Sequence, residues 1–359
     1  MKYALIGCGR IATNHLAAAV ENEFEIVALC DVYEASMKRL LSEHGLENDS
    51  RIRCYTDYKQ MLIDEPEIEL IAITTLSGFH ANIAFDCIDA HKHLIIEKPI
   101  ALSMSDANEI IERSAKMGVH VSSCHQNRYN DAIQKLREAL EAGRFGKLSH
   151  GSIHVRWNRG EDYYRQAPWR GTWEQDGGCL MNQCIHAIDL LCWMMGGKVE
   201  SVFAQTRQRF HDYIETEDIG MAVLIFANGA IATIEGTVNV YPENLEETLC
   251  IFGEKGTVKI GGKSVNAIET WVFEDSNNED KEKEGFSEQV PNIYGHGHTL
   301  LYADMKQAIT DGRKPYIDAT AGRDALEVVL AMYKSQKTGL PVHLPLGDFS
   351  SEQMKGEFS

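Results

Sequence analysis

Three small residues, Gly7, Gly9 and Ala12, stand directly after the apolar run Tyr3-Ala4-Leu5-Ile6 and lead into Thr13 to Val20, a stretch with helical character. This G-x-G-x-x-A spacing, between a strand and a helix, suits the cradling of a pyrophosphate. Gly7 permits a tight turn, Gly9 lets the backbone come close to a phosphate, and Ala12 lets the helix lie against the strand. The helix start then offers free N–H groups and the positive end of its dipole. Arg10 and Ile11 lie in the same loop and are counted with the glycines as cofactor-binding. A second apolar run, Glu25 to Cys30, ends in Asp31, nineteen residues after Ala12. An acid about 20 residues beyond the loop is placed to hold a ribose hydroxyl. Its charge repels a 2′-phosphate, and no arginine follows before Arg39, so the dinucleotide expected is NAD rather than NADP.

Two further groups have chemistry of their own. Lys98, in Glu97-Lys98-Pro99, closes the buried run His93 to Ile96. Read alone it is a solvated loop lysine; read from its place after a buried strand it stands beside the nicotinamide. Pro99 stiffens the turn, and a cis bond before it is one hypothesis. Gly177-Gly178 opens a helix that runs to Gly196-Gly197 and carries Asn182, His186 and Asp189 at i, i+4 and i+7, on one face. A polar stripe on an apolar helix needs solvent or a site to face; the plainer reading of His186 is a satisfied core histidine. An aromatic, basic loop precedes this helix: Arg159, Tyr163, Tyr164, Arg165, Trp169, Arg170 and Trp173. His296 and His298 have no carboxylate or thiolate cluster nearby in sequence, so packing or hydrogen bonding is expected of them and no metal site.

The elements that must position these groups alternate regularly in the first third. Strand-like runs at 25–30, 53–55, 68–73, 93–96 and 119–122 are separated by helical stretches at 34–44, 57–63, 80–90 and 105–117, with Asp57 as an N-cap. This alternation predicts a doubly wound parallel sheet of the Rossmann type, with ligands outside the carboxyl ends of its strands. Thr74, Thr75, Lys98 and the run His125-Gln126-Asn127-Arg128 all follow strand ends. Of these, Thr74, Thr75, Glu97, Lys98 and Asn127, with His80 at the start of a helix, are assigned to the cofactor. The second part reads as α+β, built on a large, mainly antiparallel open sheet: strands at 150–157, 199–208, 219–226, 230–238, 247–253, 256–260 and 267–273, with Asn228-Gly229 as a hairpin turn. Glu274 to Glu288 reads as a charged loop, 293–310 ends in a helix, and 320–339 is a last long helix. The expected domains are residues 1–124, 125–346 and a frayed tail, 347–359.

Composition narrows the class. The 359 residues exceed one ordinary core. With 44% hydrophobic and 25% charged residues the chain reads as soluble and globular, with no run long enough for a bilayer and no leader before the first strand. A net charge of −18 argues against a nucleic-acid partner. Nine scattered cysteines without a C-x-x-C pair suggest reduced thiols in a cytoplasm.

Taken together, Gly7-x-Gly9-x-x-Ala12, Asp31, Glu97-Lys98-Pro99, Asn127-Arg128-Tyr129 and Gly177-Gly178…His186-x-x-Asp189 are similar to the glucose–fructose oxidoreductase/inositol dehydrogenase/MocA family over nearly the whole chain. The resemblance implies an NAD-dependent enzyme that moves a hydride between a sugar or cyclitol carbon and nicotinamide, with Lys98 and His186 as the catalytic pair and an open sheet that makes a homodimer or homotetramer. Inositol-type members have Asp where this chain has Asn182. Leu180-Met181-Asn182-Gln183, Tyr163-Tyr164 and Trp169-Arg170-Gly171-Thr172-Trp173 look more like the nucleotide-sugar branch, which oxidises C3 of UDP-N-acetylglucosamine or its glucuronate. On that resemblance Arg128, Tyr163, Arg165, Arg170, Asn182, His186 and Asp189 bind substrate. Guanidinium forks suit a diphosphate, though each arginine also reads as a surface ion-pair partner. Which of Lys98 and His186 takes the proton stays open, as do a free-cyclitol substrate and a sensor that binds without chemistry.

Overall fold

A computed structural model describes residues 1–196, 198–262, 264–276, 280, 283, 285–287 and 296–358. Residues 277–279, 281, 282, 284 and 288 of the charged loop expected at 274–288, and residues 293–295, lie outside them. The chain divides into two compact units, Met1–Cys124 with His298–Arg323, and His125–Gly297 with Asp324–Ser359. The contiguous division drawn from the sequence did not include the return of 298–323 to the first unit.

The first unit contains β1 (Lys2–Ile6), α1 (Ala12–Glu21), β2 (Glu25–Cys30), α2 (Glu34–Glu43), β3 (Arg53–Tyr55), α3 (Tyr58–Asp64), β4 (Leu70–Ile73), α4 (His80–Asp89), β5 (His93–Ile96), α5 (Met104–Met117) and β6 (Val121–Ser123). All six strands are parallel, in the order β3-β2-β1-β4-β5-β6. The order reverses between β1 and β4, where the crevice at the carboxyl ends opens. Every residue of β4 is buried, as expected of a strand covered on both faces. Caps fix the helix starts: Asp57 accepts from the Lys59 amide at 2.8 Å, and Ser103 from the Asp106 amide at 3.1 Å. From the returning segment, Tyr302 of the Gly297–Asp311 helix packs its ring 5.9 Å from Tyr3 and 6.0 Å from Phe24.

The second unit is built on an eight-stranded sheet: β7 (Leu148–Arg156), β8 (Val199–Arg207), β9 (Ile219–Phe226), β10 (Ile231–Thr237), β11 (Glu246–Gly253), β12 (Gly256–Gly261), β13 (Ala267–Phe273) and β14 (Val342–His343), in the order β13-β12-β11-β7-β10-β9-β8-β14. Neighbours are antiparallel except β7 and β10, which run parallel. Alternation sorts β9: Ala222, Leu224 and Phe226 are buried, whereas Met221, Val223 and Ile225 face out. The sequence reading missed α6 (Asp131–Glu141), whose buried stripe is Ala132, Ile133, Leu136 and Ala139; with two alanines in four places the apolar signal is weak. The tail is not frayed. Ser350 forms a capping box with Gln353, the Ser351 hydroxyl donates to the Trp173 carbonyl at 2.7 Å, and Met354 is buried. Among the described residues, no helix is long and apolar enough to cross a membrane.

A buried carboxyl ties the second unit together. Glu217 Oε1 accepts from the Tyr333 hydroxyl at 2.8 Å and from the Leu180 amide at 2.7 Å, while the Tyr333 ring packs edge-on to Trp173 at 5.2 Å. Burial pushes Glu217 up to about 8 against those two hydrogen bonds, so the folded chain holds it protonated at neutral pH. An unfolded chain ionises the same group above about pH 4.3. The unfolded state therefore binds fewer protons between those values, and stability falls as pH rises through that window. Glu217→Gln keeps the acceptor oxygen and removes the titration. It is expected to gain about 3–4 kcal/mol over wild type at pH 8 relative to the same comparison at pH 5, read by urea unfolding at both pH values. An identical difference at the two would refute the assignment.

Candidate active site

The phosphate loop is built by contacts that only its sequence allows. Gly7 has φ +96°, and a Cβ there would lie 2.7 Å from the Thr74 carbonyl carbon and the Thr75 nitrogen. Its amide donates to the Cys30 carbonyl at 2.8 Å, and the Thr74 hydroxyl donates back to the Gly7 carbonyl. Asp31 holds the next residue: Oδ2 accepts from the Cys8 amide at 2.7 Å and Oδ1 from the Tyr33 amide at 2.8 Å. Arg39 donates to the Cys8 carbonyl at 2.8 Å. A Cβ on Gly9 would meet nothing within 4 Å. Ala12 is fully buried, Arg10 is exposed, and Ile11 starts α1 with no side-chain cap. The first amides of α1 are therefore left for an anion. A carboxylate offers about four acceptor sites, so Asp31 can hold the loop and still take a ribose hydroxyl. This is a fit to NAD: open space over Gly9, an uncapped helix start, and an acid at the end of β2.

Around the ends of β4 and β5, His80 joins two turns. Its Nδ1 lies 2.8 Å from the Pro99 carbonyl and its Nε2 3.2 Å from the Thr75 carbonyl. Burial pushes its pKa down, which leaves one N–H; we assign it to the shorter contact. The Lys98–Pro99 bond is cis. Glu97 is buried: Oε1 takes His15 Nε2 at 2.8 Å, and Oε2 accepts from the Lys98 amide at 3.1 Å. Burial alone would raise this carboxyl, but the hydrogen bond from His15 and the neighbouring His298 imidazole hold it well below its ordinary value. His298 is buried with its Nε2 3.7 Å from Glu97 Oε1; His296 is exposed. The carboxylate that sequence spacing did not place near His298 is thus supplied from β5.

In the second unit, Gln126–Tyr129 is a 3-10 turn with Asn127 and Arg128 buried. Arg128 is bidentate on Asp189, Nε to Oδ2 at 2.8 Å and Nη2 to Oδ1 at 2.6 Å, and its guanidinium covers the Trp193 ring at 4.7 Å. The two residues read as substrate ligands are here a buried ion pair. The single helix expected from Gly178 is two: α8 (Cys179–Asn182) and α9 (Ile185–Met194). The Cys184 amide reaches back to the Cys179 carbonyl at 3.2 Å, a wider turn than α, so Asn182 and His186 are not on one continuous helical face. Gly178 takes φ +102°, and a Cβ there would lie 2.3 Å from Glu217 Oε2; no side chain fits. His186 is half-buried, with its ring edge-on to His125 at 5.6 Å.

The aromatic loop makes a cation-rich cluster in the same unit. It includes a short helix, α7 by position (Glu161–Arg165). Arg170 lies over the Tyr163 ring at 4.0 Å and donates to the Tyr163 carbonyl at 2.6 Å. Arg159 donates to Gln183 Oε1 at 3.0 Å, and Gln183 donates to the Tyr163 hydroxyl at 3.0 Å. Asn182 donates to Asp176 and accepts from Gln183. Arg165 stands apart, exposed and paired with Glu161 one turn earlier. Gln183 and Asp176 were missed in sequence; their nearness to the glycine pair was the signal available.

Fold and loop together define a dinucleotide-dependent oxidoreductase. A family model for the NAD-binding Rossmann fold of an oxidoreductase family matches residues 1–125, and one for the GFO/IDH/MocA C-terminal domain matches residues 133–259. The chain belongs to the GFO/IDH/MocA oxidoreductases. It is similar to the WlbA dehydrogenase of Bordetella pertussis, solved with NADH and UDP-GlcNAcA: 34% identity, 97% of this chain and 98% of that one, TM-score 0.87. The Chromobacterium violaceum WlbA dehydrogenase, solved with the same two ligands, gives 35%, 97%, 96% and 0.87. Myo-inositol 2-dehydrogenase of Thermotoga maritima is 28% identical over 267 residues, 72% of this chain and 74% of its own. The protein is an NAD-dependent dehydrogenase of the sugar and cyclitol type.

The two glycines of the loop separate fold from binding. Gly7→Ala should unsettle the strand end at Thr74 and lower thermal stability. Gly9→Ala should leave stability unchanged and weaken NADH binding about tenfold or more, roughly 1.4 kcal/mol, because it fills space a pyrophosphate occupies. Calorimetric titration with NADH and thermal melts of both variants check this; unchanged affinity in Gly9→Ala would contradict it.

Proposed function

We propose that this enzyme oxidises C3 of a UDP-N-acetylglucosamine-type sugar, the glucuronate form first, with NAD⁺. The observation that carries the reading is the 34–35% identity over 97% of the chain to two enzymes solved with NADH and UDP-GlcNAcA. Arg159 and Arg170, gathered about Tyr163, support it as cations suited to a diphosphate. The second reading, oxidation of a free cyclitol, is favoured by the likeness to myo-inositol 2-dehydrogenase. The reduced thiols of all nine cysteines fit a cytoplasmic setting.

In this reading the loop Gly7–Ala12 and Asp31 would hold NAD⁺, which would supply the acceptor for the hydride of C3. Lys98 and His186 manage the hydroxyl proton. His186 takes it as general base, and Lys98 hydrogen-bonds the same oxygen and stabilises the charge that develops there; the exchanged assignment keeps both residues essential. Tyr163, Arg170 and Asn182 bind the substrate. Arg128 and Asp189 act through their ion pair, which fixes α9 and so the direction of His186. Gly7, Gly9, Arg10, Ile11, Asp31, Thr74, Thr75, His80, Glu97 and Asn127 form or support the cofactor site.

The open face of the sheet supports an oligomer. Phe203, Met221, Val223, Ile225 and Ile231 are 42–51% exposed on adjacent strands, with Phe203 opposite Val223 and Ile231 opposite Ile225. Such a patch calls for a partner, and a second copy of the same face makes a homodimer or, with a further contact, a homotetramer.

Two tests apply. NADH absorbance with UDP-GlcNAcA, UDP-GlcNAc, myo-inositol and free glucose should rise only with the nucleotide sugars; a rise with inositol alone would establish the second reading. Lys98→Ala and His186→Ala should each cut turnover by roughly 10²-fold or more with NAD⁺ binding nearly intact, and turnover near wild type in both would remove the mechanism. For the assembly, light scattering should give a dimer or tetramer that Val223→Asp dissociates. A monomeric wild type would contradict it.

A further inference from the structure

Four side chains from distant parts of the chain meet inside the first unit: His15 from α1, Glu97 after β5, Cys124 after β6, and His298 from the Gly297–Asp311 helix. All four are buried, and one donor atom of each lies within 4.8 Å of the others. We propose that this cluster is a binding site for one divalent cation of the zinc class, coordinated by two imidazoles, one carboxylate and one thiolate. The proposal is independent of the substrate reading.

Geometry and charge support it. Ligand atoms 2.0–2.3 Å from a tetrahedral ion lie roughly 3.3–3.8 Å from one another. Here Glu97 Oε1 to His298 Nε2 is 3.7 Å and Cys124 Sγ to His15 Nε2 is 4.0 Å. The exception is His15 Nε2 to Glu97 Oε1, 2.8 Å, which carries a proton-mediated hydrogen bond in the metal-free chain and opens by about half an ångström when an ion takes its place. Binding expels the thiol proton of Cys124 to solvent, while the His15 proton passes from Nε2 to Nδ1, where the Tyr302 hydroxyl accepts it. A 2+ ion with one thiolate, one carboxylate and two neutral imidazoles has no net charge, which suits a site with no access to water. The outer shell is also present. His15 Nδ1 lies 2.8 Å from the Tyr302 hydroxyl, itself 2.9 Å from the Tyr3 hydroxyl. With the proton on Nδ1, the Nε2 lone pair points into the cluster, the orientation a metal-binding histidine needs. Glu97 Oε2 holds the Lys98 amide, so an ion here stiffens the turn that carries Lys98.

The full-length protein, stripped with a chelator and titrated with Co²⁺ alone, tests the site. One equivalent per chain is expected, with tetrahedral ligand-field bands and a thiolate-to-cobalt charge-transfer band. Zn²⁺ should displace it. Cys124→Ser should abolish the charge-transfer band. Tyr302→Phe, which touches no ligand atom of the metal, should keep that band and weaken Zn²⁺ binding roughly 10–100-fold. No stoichiometric uptake, an octahedral spectrum, or a charge-transfer band that persists in Cys124→Ser would each overturn the proposal and leave a hydrogen-bonded network.

Discussion

The turn after β1 can exist only because residue 7 has no side chain. Gly7 lies against the backbone of Thr74 and Thr75, at a distance that a Cβ would reduce to 2.7 Å. That contact joins the ends of β1 and β4, the two strands between which the sheet order reverses. Asp31 adds a second restraint, since its carboxylate holds the amides of Cys8 after β1 and Tyr33 after β2. The loop is thus shaped before any cofactor arrives. Preorganised amides cost no rearrangement on binding, which is what a dinucleotide site requires.

The second unit applies the same principle with buried polar groups. Gly178 has room for no side chain because Glu217 fills the space, and Glu217 in turn anchors the start of α8 through the Leu180 amide. Arg128 and Asp189 fix α9 from its other side. A buried ion pair is weak evidence for stability, but it sets direction well: a bidentate fork permits one orientation. His186 sits on the helix so fixed. Arg128 and Asp189, which the family resemblance presents as substrate ligands, here pair with each other beside the helix that carries His186.

The parallel sheet was legible because local signals agreed. Period, turns and the Asp57 cap all marked the same boundaries, and the acid at the end of β2 stood where a βαβ unit puts it. In the second unit the strands were legible from alternation and from Asn228-Gly229, whereas the parallel pairing of β7 with β10 was not, since no short loop links them. The helix α6 was hidden by small apolar residues, and the break at Gln183-Cys184 by an apolar run that reads as one helix. Side-chain partners separated by many residues left no trace in spacing. Arg128 with Asp189, and His15 with Glu97 and His298, are brought together only by the fold.

In the proposed reaction hydrogen leaves C3 of a nucleotide sugar as hydride and arrives on nicotinamide. Mass spectrometry of the reduced cofactor, after turnover of UDP-GlcNAcA deuterated at C3, tests it directly. The deuterium is expected on the nicotinamide ring. Unlabelled NADH formed from the deuterated sugar would contradict it.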